Sequence, residues 1–364
     1  MSGAGDLSGV ADLQAIRQRI AQHSRGVDRA DEALLADCYH KDATVDYRFF
    51  AGPAKELAAM LTAANKGQPV MLHRTSQMWV LLDGERAKSE SYIIAYAQSA
   101  DPDGAMMQRL VCGRYLDRHE KRAGVWRLSH RQYVMDVNAN WPGAYAPPAL
   151  GPLANHVPAG AQGAADPGIA LLASAAAKNR LIQEGDQGMS NPPPDEAAID
   201  AVISRQKIAD LTMAYCRGVD RADEDLLKTI FHDDSIVISG AFNGGGQQFA
   251  TEICRIVKAV FNQTFHSIAN QWIEVTGNTA VGETYVIAVS TMTNEDGSQS
   301  EMLTGGRYLD RFERRAGIWK ISERSFVCDW NRVDATTHSN DGMYAPLDLL
   351  GRRGPEDPVY ALWN

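Results

Sequence analysis

The chain has 364 residues, 45% of them hydrophobic and 22% charged, with a formal charge of −9 spread along its length. Such a composition describes a globular protein of about two domains, and no run of eighteen apolar residues offers a membrane span. The acidic balance, with no Lys/Arg run interleaved with aromatics, excludes nucleic acid and an anionic membrane as expected partners.

The N-terminal MSGAGDLSGV has neither the basic nor the apolar stretch of a secretion signal, so the cytoplasm is the expected compartment. An amphipathic helix follows, with Val10, Leu13, Ile16 and Ile20 near helical period, and Gly26 is expected to break it. Asp31 is placed to cap a short second helix, which delivers a strand at Ala43–Tyr47. A third helix is expected over Ala54–Asn65. Beyond it alternation replaces the helical period, and Asp83-Gly84, Pro102-Asp103-Gly104 and Ala123-Gly124 punctuate a four-stranded antiparallel meander. Residues 144–196 are rich in Ala, Gly and Pro and read as a tail and linker, with room for one helix at Ile169–Ile182.

The same programme then begins again. RGVDRADEALL, from Arg25 to Leu35, returns as RGVDRADEDLL from Arg217 to Leu227, and GRYLDRHEKRAGVWRLS, from Gly113 to Ser129, returns as GRYLDRFERRAGIWKIS from Gly306 to Ser322. The offsets are 192 and then 193 residues, which marks a duplicated module. In copy two Ile199, Val202, Ile203, Ile208 and Leu211 make the first helix, Gly218 its expected break and Asp223 the next cap. A strand at Ser235–Ser239, a helix at Gln248–Phe261 and turns at Gly277-Asn278, Glu295-Asp296-Gly297 and Ala316-Gly317 complete the match. Tyr-Ala-Pro recurs at Tyr145–Pro147 and Tyr344–Pro346, so the tail belongs to the module. The expected domains are 1–150 and 197–364, joined by a linker at 151–196. The fold class is α+β: helices wrapped in a curved antiparallel sheet that closes a cone with an apolar interior. The two copies are expected to pack as an internal pseudo-dimer or to join other chains as a homo-oligomer.

Cys38, Cys112, Cys216, Cys254 and Cys328 are odd in number and not equivalently placed in the two copies, which argues against a disulfide framework. No CxxC, HxH or HExxH pattern occurs, so no metal site is expected. Asp28 and Asp220 end the first helix of each copy, and His73 and His266 follow them by 45 and 46 residues. In an apolar pouch an imidazole accepts a proton at neutral pH while a carboxylate fixes its tautomer and stabilises the imidazolium, a general base that needs no cofactor. Tyr215, five residues before Asp220, is a candidate partner for a departing oxygen; His23 holds that place in copy one. An Asp near a helix-ending Gly is also a common turn residue, but joint duplication with a His favours chemistry.

Arg114 and Arg307 are candidate anchors for a substrate oxygen, although GRYLDR also reads as an outward strand in which they pair with Asp117 and Asp310. Asp136 with Asn138, and Asp329 with Asn331, stand near the mouth of the expected cone, to bind substrate or to hold the tail. Trp79 with Trp272 and Trp126 with Trp319 read as core. Trp330 and Phe326 are candidates for stacking on an aromatic ligand, where copy one has Val137 and Tyr133.

Helix, GVDRxD, helix, a His-initiated strand, then GRYxxxxERRxGxWxIS resembles the SnoaL-like branch of the NTF2-like superfamily, which includes scytalone dehydratase, bile-acid 7α-dehydratase, hexachlorocyclohexane dehydrochlorinase and ketosteroid isomerase. The resemblance implies two tandem cone-shaped α+β barrels and places the family's Asp–His pair at Asp28 with His73 and at Asp220 with His266. Tyr215 matches the tyrosine of the bile-acid dehydratase type. The dehydrochlorinases have a lysine at that helical place and an arginine on the last strand; with Tyr215 or His23 at the first and Phe326 or Tyr133 taken for the second, elimination of an oxygen leaving group is the favoured expectation. Sphingomonad diarylpropane γ-formaldehyde lyases, which act on lignin-derived dimers through a quinone methide, are a further likeness. The implied partner is a small hydrophobic aromatic substrate. The alternatives are chloride elimination, a ketosteroid-type proton-shuttling isomerase and a non-catalytic ligand-binding module.

Overall fold

Leu13, Ile16 and Ile20 are buried along one side of the first helix, and that apolar stripe seats the helix against its sheet. The computed structural model describes residues 7–68, 71–143, 161–166, 196–240 and 242–363. Copy one runs α1 (Leu7–Asp28), α2 (Glu32–Asp37), β1 (Tyr39–Asp46), β2 (Ala51–Pro53), α3 (Ala54–Asn65), β3 (Leu72–Asp83), β4 (Arg86–Ala100), β5 (Met106–Arg122) and β6 (Val125–Pro142). Copy two repeats the order with α4 (Glu196–Asp220), α5 (Glu224–Ile230), β7 (Phe231–Ile238), β8 (Asn243–Gly245), α6 (Gly246–Val260), β9 (Gln263–Thr276), β10 (Thr279–Thr293), β11 (Gln299–Arg315) and β12 (Ile318–Ala335), followed by α7 (Pro358–Trp363).

The first helices do not stop at Gly26 and Gly218 but run through them to the aspartates. These glycines serve packing: a Cβ on Gly26 would stand 3.1 Å from Leu35, and one on Gly218 2.6 Å from Leu227, so α2 and α5 can lie close against the helix before them. Asp31 and Asp223 cap as expected, accepting from the backbone N–H of Leu34 and Leu226. The hairpin turns fall where Asp-Gly and Ala-Gly predicted them, and Ala123-Gly124 and Ala316-Gly317 both hold positive φ, as a tight two-residue turn requires.

Each copy forms one six-stranded sheet, ordered β2-β1-β6-β5-β4-β3 and β8-β7-β12-β11-β10-β9. The meander is antiparallel, but β1 and β7 join β6 and β12 in parallel, a pairing the meander pattern did not reveal. The sheets curl without closing, which corrects the expected barrel: β2 and β8, three residues long, do not reach across to β3 and β9. The curl is set by bulges opposite Gly113 and Gly306, where a Cβ would sit 2.4 Å from the Val134 and Val327 carbonyl oxygens.

The copies touch through β3 and β9. Gln77 donates to the His266 carbonyl and accepts from the Ile268 N–H, and the Ser76 and Ser267 hydroxyls meet at 2.8 Å. The tail of copy two crosses to copy one: Leu350 bridges to Met135, and Val359 and Leu362 pack on Leu116 and Val134. A short stretch inside the expected linker has its own anchor on copy one. Gly163 donates to the Arg29 carbonyl and Asp166 pairs with Arg25 and Arg29, just as Gly354 and Asp357 engage Arg221. The expected helix at Ile169–Ile182 and the Tyr145–Pro147 segment lie outside the described residues.

Candidate active site

Both aspartates close on their histidines. Asp28, the last residue of α1, accepts from the His73 backbone N–H at 2.9 and 3.0 Å and stands 2.6 Å from Nδ1. Asp220, the last residue of α4, accepts from the His266 N–H at 2.9 Å and stands 2.6 Å from Nδ1. An ionised carboxylate only accepts, so Nδ1 carries a proton, and in the neutral ring Nε2 then keeps its lone pair. The aspartates are 5% and 0% exposed, while the imidazole side chains keep 15% and 17% of their surface accessible. Burial alone would push the Asp220 carboxyl up; the charge and hydrogen bonds of His266, with Arg221, hold it below the usual carboxylate range.

In copy two Tyr215 lies inside the curled sheet, stacked on Phe249 at 6.0 Å between ring centroids and edge-on to Tyr308 at 5.2 Å. Burial pushes its phenol up to about 12, against the pull of Arg324, whose guanidinium lies 4.0 Å over the ring. It therefore stays protonated near neutral pH. In copy one His23 is 1% exposed, and burial, Arg131 and His73 together keep it neutral.

The arginines that face the interior are Arg131 and Arg324. Each makes a two-pronged bond to a buried aspartate, Arg131 to Asp117 at 2.7 and 2.6 Å and Arg324 to Asp310 at 2.7 and 2.7 Å. This corrects the reading of GRYLDR: three residues apart on a strand are opposite faces, so Arg114 and Asp117 cannot pair along one. It also removes one distinction from the dehydrochlorinases, because the last strand does carry an inward arginine, two residues before the positions taken for it. The available signal was parity: Arg131 and Tyr133, like Arg324 and Phe326, point the same way.

Other candidates separate by location. Phe326 packs inside copy two, 5.7 Å from Tyr308; the side chain of Trp330 lies outside those described. Arg114 is fully buried on the outer face in bonds to Asp136, Glu90 and Asp357, so it anchors the tail and not a substrate. Arg307 also points outward, half-buried beside Glu283, because its neighbour Tyr308 points in. Asn138 donates to the Ser339 carbonyl and accepts from the Ser339 N–H, which makes it a tail holder; Asn331 is exposed near the end of β12. Surface clefts open beside Val281 and Leu309, between Val10 and Val202, and around Val80 and Arg86, and neither dyad lines any of them. Among the described residues no group of three or more His, Cys, Asp or Glu is arranged to hold a metal ion.

Comparison with known proteins agrees with the duplication. The SnoaL-like domain model matches residues 9–132 and 200–325. Hexachlorocyclohexane dehydrochlorinase 1 of Sphingobium indicum is 29% identical over 128 residues, 34% of this chain and 81% of that protein. The gamma-hexachlorocyclohexane dehydrochlorinase of the same species is 28% identical over 130 residues, 35% of this chain and 81% of that protein. Among solved structures, a type 2 hexachlorocyclohexane dehydrochlorinase is 25% identical with a TM-score of 0.36, covering 39% of this chain and 96% of its own. A scytalone dehydratase-like protein of Novosphingobium aromaticivorans is 21% identical with a TM-score of 0.33, covering 37% of this chain and 92% of its own.

Proposed function

The chain belongs to the SnoaL-like domain family, with two tandem NTF2-like domains, and from that premise we propose that it is a cofactor-independent lyase expelling an oxygen leaving group from a hydrophobic phenolic molecule. The observation that carries this reading is the dyad, present at matched places in both copies with Nε2 unspent. Asp28 or Asp220 holds the ring in the base-competent tautomer and stabilises the imidazolium that forms.

On a phenol with a benzylic hydroxyl, Nε2 of His73 or His266 takes the phenolic proton, the ring electrons break the benzylic C–O bond, and hydroxide leaves as water with that proton returned by the imidazolium, which regenerates the neutral imidazole. The resulting quinone methide is an electron sink. If the next carbon bears a hydroxymethyl group, the imidazole removes that O–H proton, the C–C bond breaks, and formaldehyde departs as the phenolate is restored. The working dyad need be present in only one copy.

Chloride elimination is the second reading, favoured by the inward Arg131 and Arg324 and by the dehydrochlorinase relatives. Incubating the purified chain with a diarylpropane bearing both hydroxyls, with a simple benzylic alcohol and with hexachlorocyclohexane separates them. The lyase reading expects new ultraviolet absorbance from the phenols, with released formaldehyde from the first alone. Chloride release without phenol turnover would replace it, and a product of unchanged mass would point to an isomerase.

A further inference from the structure

The two copies do not meet through equivalent surfaces. Copy two presents one end, where α4 finishes and β9 begins, to the outer face of the copy one sheet. Phe265, next to His266, packs on Tyr92, Ile94, Cys112 and Val137 of copy one, its ring centroid 5.1 Å from that of Tyr92. Arg217 donates to Glu90 at 2.7 Å and Arg221 stands 3.1 Å from Asp136. Gln77 of copy one bonds to the backbone of His266 and Ile268, so it braces the strand that carries the base of copy two.

Each half of this contact exists a second time, and both second halves are open. In the duplicated sequence Leu72 takes the place of Phe265, Tyr285 that of Tyr92, Glu283 that of Glu90 and Asn270 that of Gln77. Leu72 is 55% exposed and Tyr285 46%, where Phe265 and Tyr92 are 0% and 2%. Asn270 is exposed as well, while Gln77 is buried. Val281 and Leu309 continue the apolar area beside Tyr285 and line a cleft there. The basic end recurs too: Arg25 and Arg29, held by Asp166 as Arg221 is by Asp357, stand where copy two has Arg217 and Arg221.

A contact between unlike surfaces leaves one of each over. Were the copies related by a two-fold axis, Leu72 and Tyr285 would be covered as Phe265 and Tyr92 are. Apolar side chains exposed singly need no explanation, but these two are the halves of an interface whose duplicate is already packed inside the chain.

We propose that the chain assembles head to tail with a second copy of itself, the α1–β3 end of copy one in one chain seating on the outer face of β10 and β11 in the next. Leu72 meets Tyr285 there as Phe265 meets Tyr92, and Arg25 faces Glu283 as Arg217 faces Glu90. Asn270 of the second chain reaches the backbone beside His73, which gives the copy one dyad the brace that copy two receives from its own chain.

Sedimentation of the full chain tests this, with Leu72→Asp and Tyr285→Asp as separate variants. Wild type is expected to run as two or more chains and each variant as one, because a carboxylate placed in this apolar contact has no partner. Melting temperature should rise with protein concentration for wild type and not for the variants. Both positions are exposed within the chain, so the variants should keep the wild-type circular dichroism; Leu72→Ser or Tyr285→Ser replaces one that does not. The mixture of the two variants is the sharpest sample. Leu72→Asp keeps an intact copy two face and Tyr285→Asp an intact copy one end, so together they should pair one to one and grow no further. A wild type that runs as a single chain, an assembly that survives either substitution, or a mixture that stays single overturns the proposal. None of these outcomes bears on the lyase reading.

Discussion

In and just after β1, and along β6, copy one turns Tyr39, Tyr47 and Tyr133 toward the interior; copy two has Phe231, Ser239 and Phe326 at those places. The helix behind them presents His23 in one copy and Tyr215 in the other. The backbone, the dyad and the inward Arg–Asp pair are common to both. Sharing the base while two of the three tyrosines give way to phenylalanine and the third to serine separates two properties that a single domain would have confounded: the capacity to take a proton, and the capacity to hold an oxygen-bearing ligand.

The sharpest way to break this comparison is to disable one dyad at a time. Asp28→Asn keeps the shape but cannot hold His73 in its working tautomer or stabilise its charge, and kcat on a phenolic substrate should fall about a thousandfold. Asp220→Asn should cost far less if copy one is the working pouch; equal losses would mean that both copies turn over. Circular dichroism of each variant separates chemistry from unfolding.

Next in size are the buried ion pairs. Asp117→Ala leaves Arg131 charged and alone in the interior, and about 3–5 kcal/mol of stability should be lost in urea denaturation. Asp310→Ala should cost a similar amount through Arg324, since that feature is shared. The outer faces then predict an asymmetry. Arg114→Met strips a fully buried partner from Asp136 and Asp357 and should destabilise by several kcal/mol, whereas Arg307→Met, at the matching half-exposed place, should stay within about 1 kcal/mol.

The smallest expected effect is the pH response of His23. Burial, Arg131 and His73 lower its pKa in the folded chain, so the unfolded chain binds the proton more readily. Stability is therefore present above the ordinary value near 6.5 and is lost as pH falls below it. Replacing His23 with tyrosine, the residue of copy two, should narrow the gap in melting temperature between pH 8 and pH 5 by roughly a few degrees. An unchanged gap would assign the acid sensitivity to other buried histidines, such as His119, pushed down to about 4.

Much of the architecture was legible in the residues. The repeat, the order of elements, the caps at Asp31 and Asp223 and the turns all arise from local periodicity and turn chemistry, which act within a few residues. The dyad was legible for another reason: two copies kept one Asp and one His at nearly the same separation. The fate of Arg114 was not, because its partners Asp136 and Asp357 come to it from a neighbouring strand and from the far end of the chain. Nor was the inward role of Arg131, whose meaning depends on which face of β6 lies inside.

The sequence by itself determined that one α+β module is present twice, with an acid and an imidazole in each, since duplication and hydrophobic period survive in a linear string. Only the tertiary structure decided which arginines face the interior and that the tail of copy two seals the outer face of copy one. Those outcomes depend on which face of each strand is covered and by what, a matter of strand pairing and of chain segments that meet from as far as 243 residues apart, which no local pattern encodes.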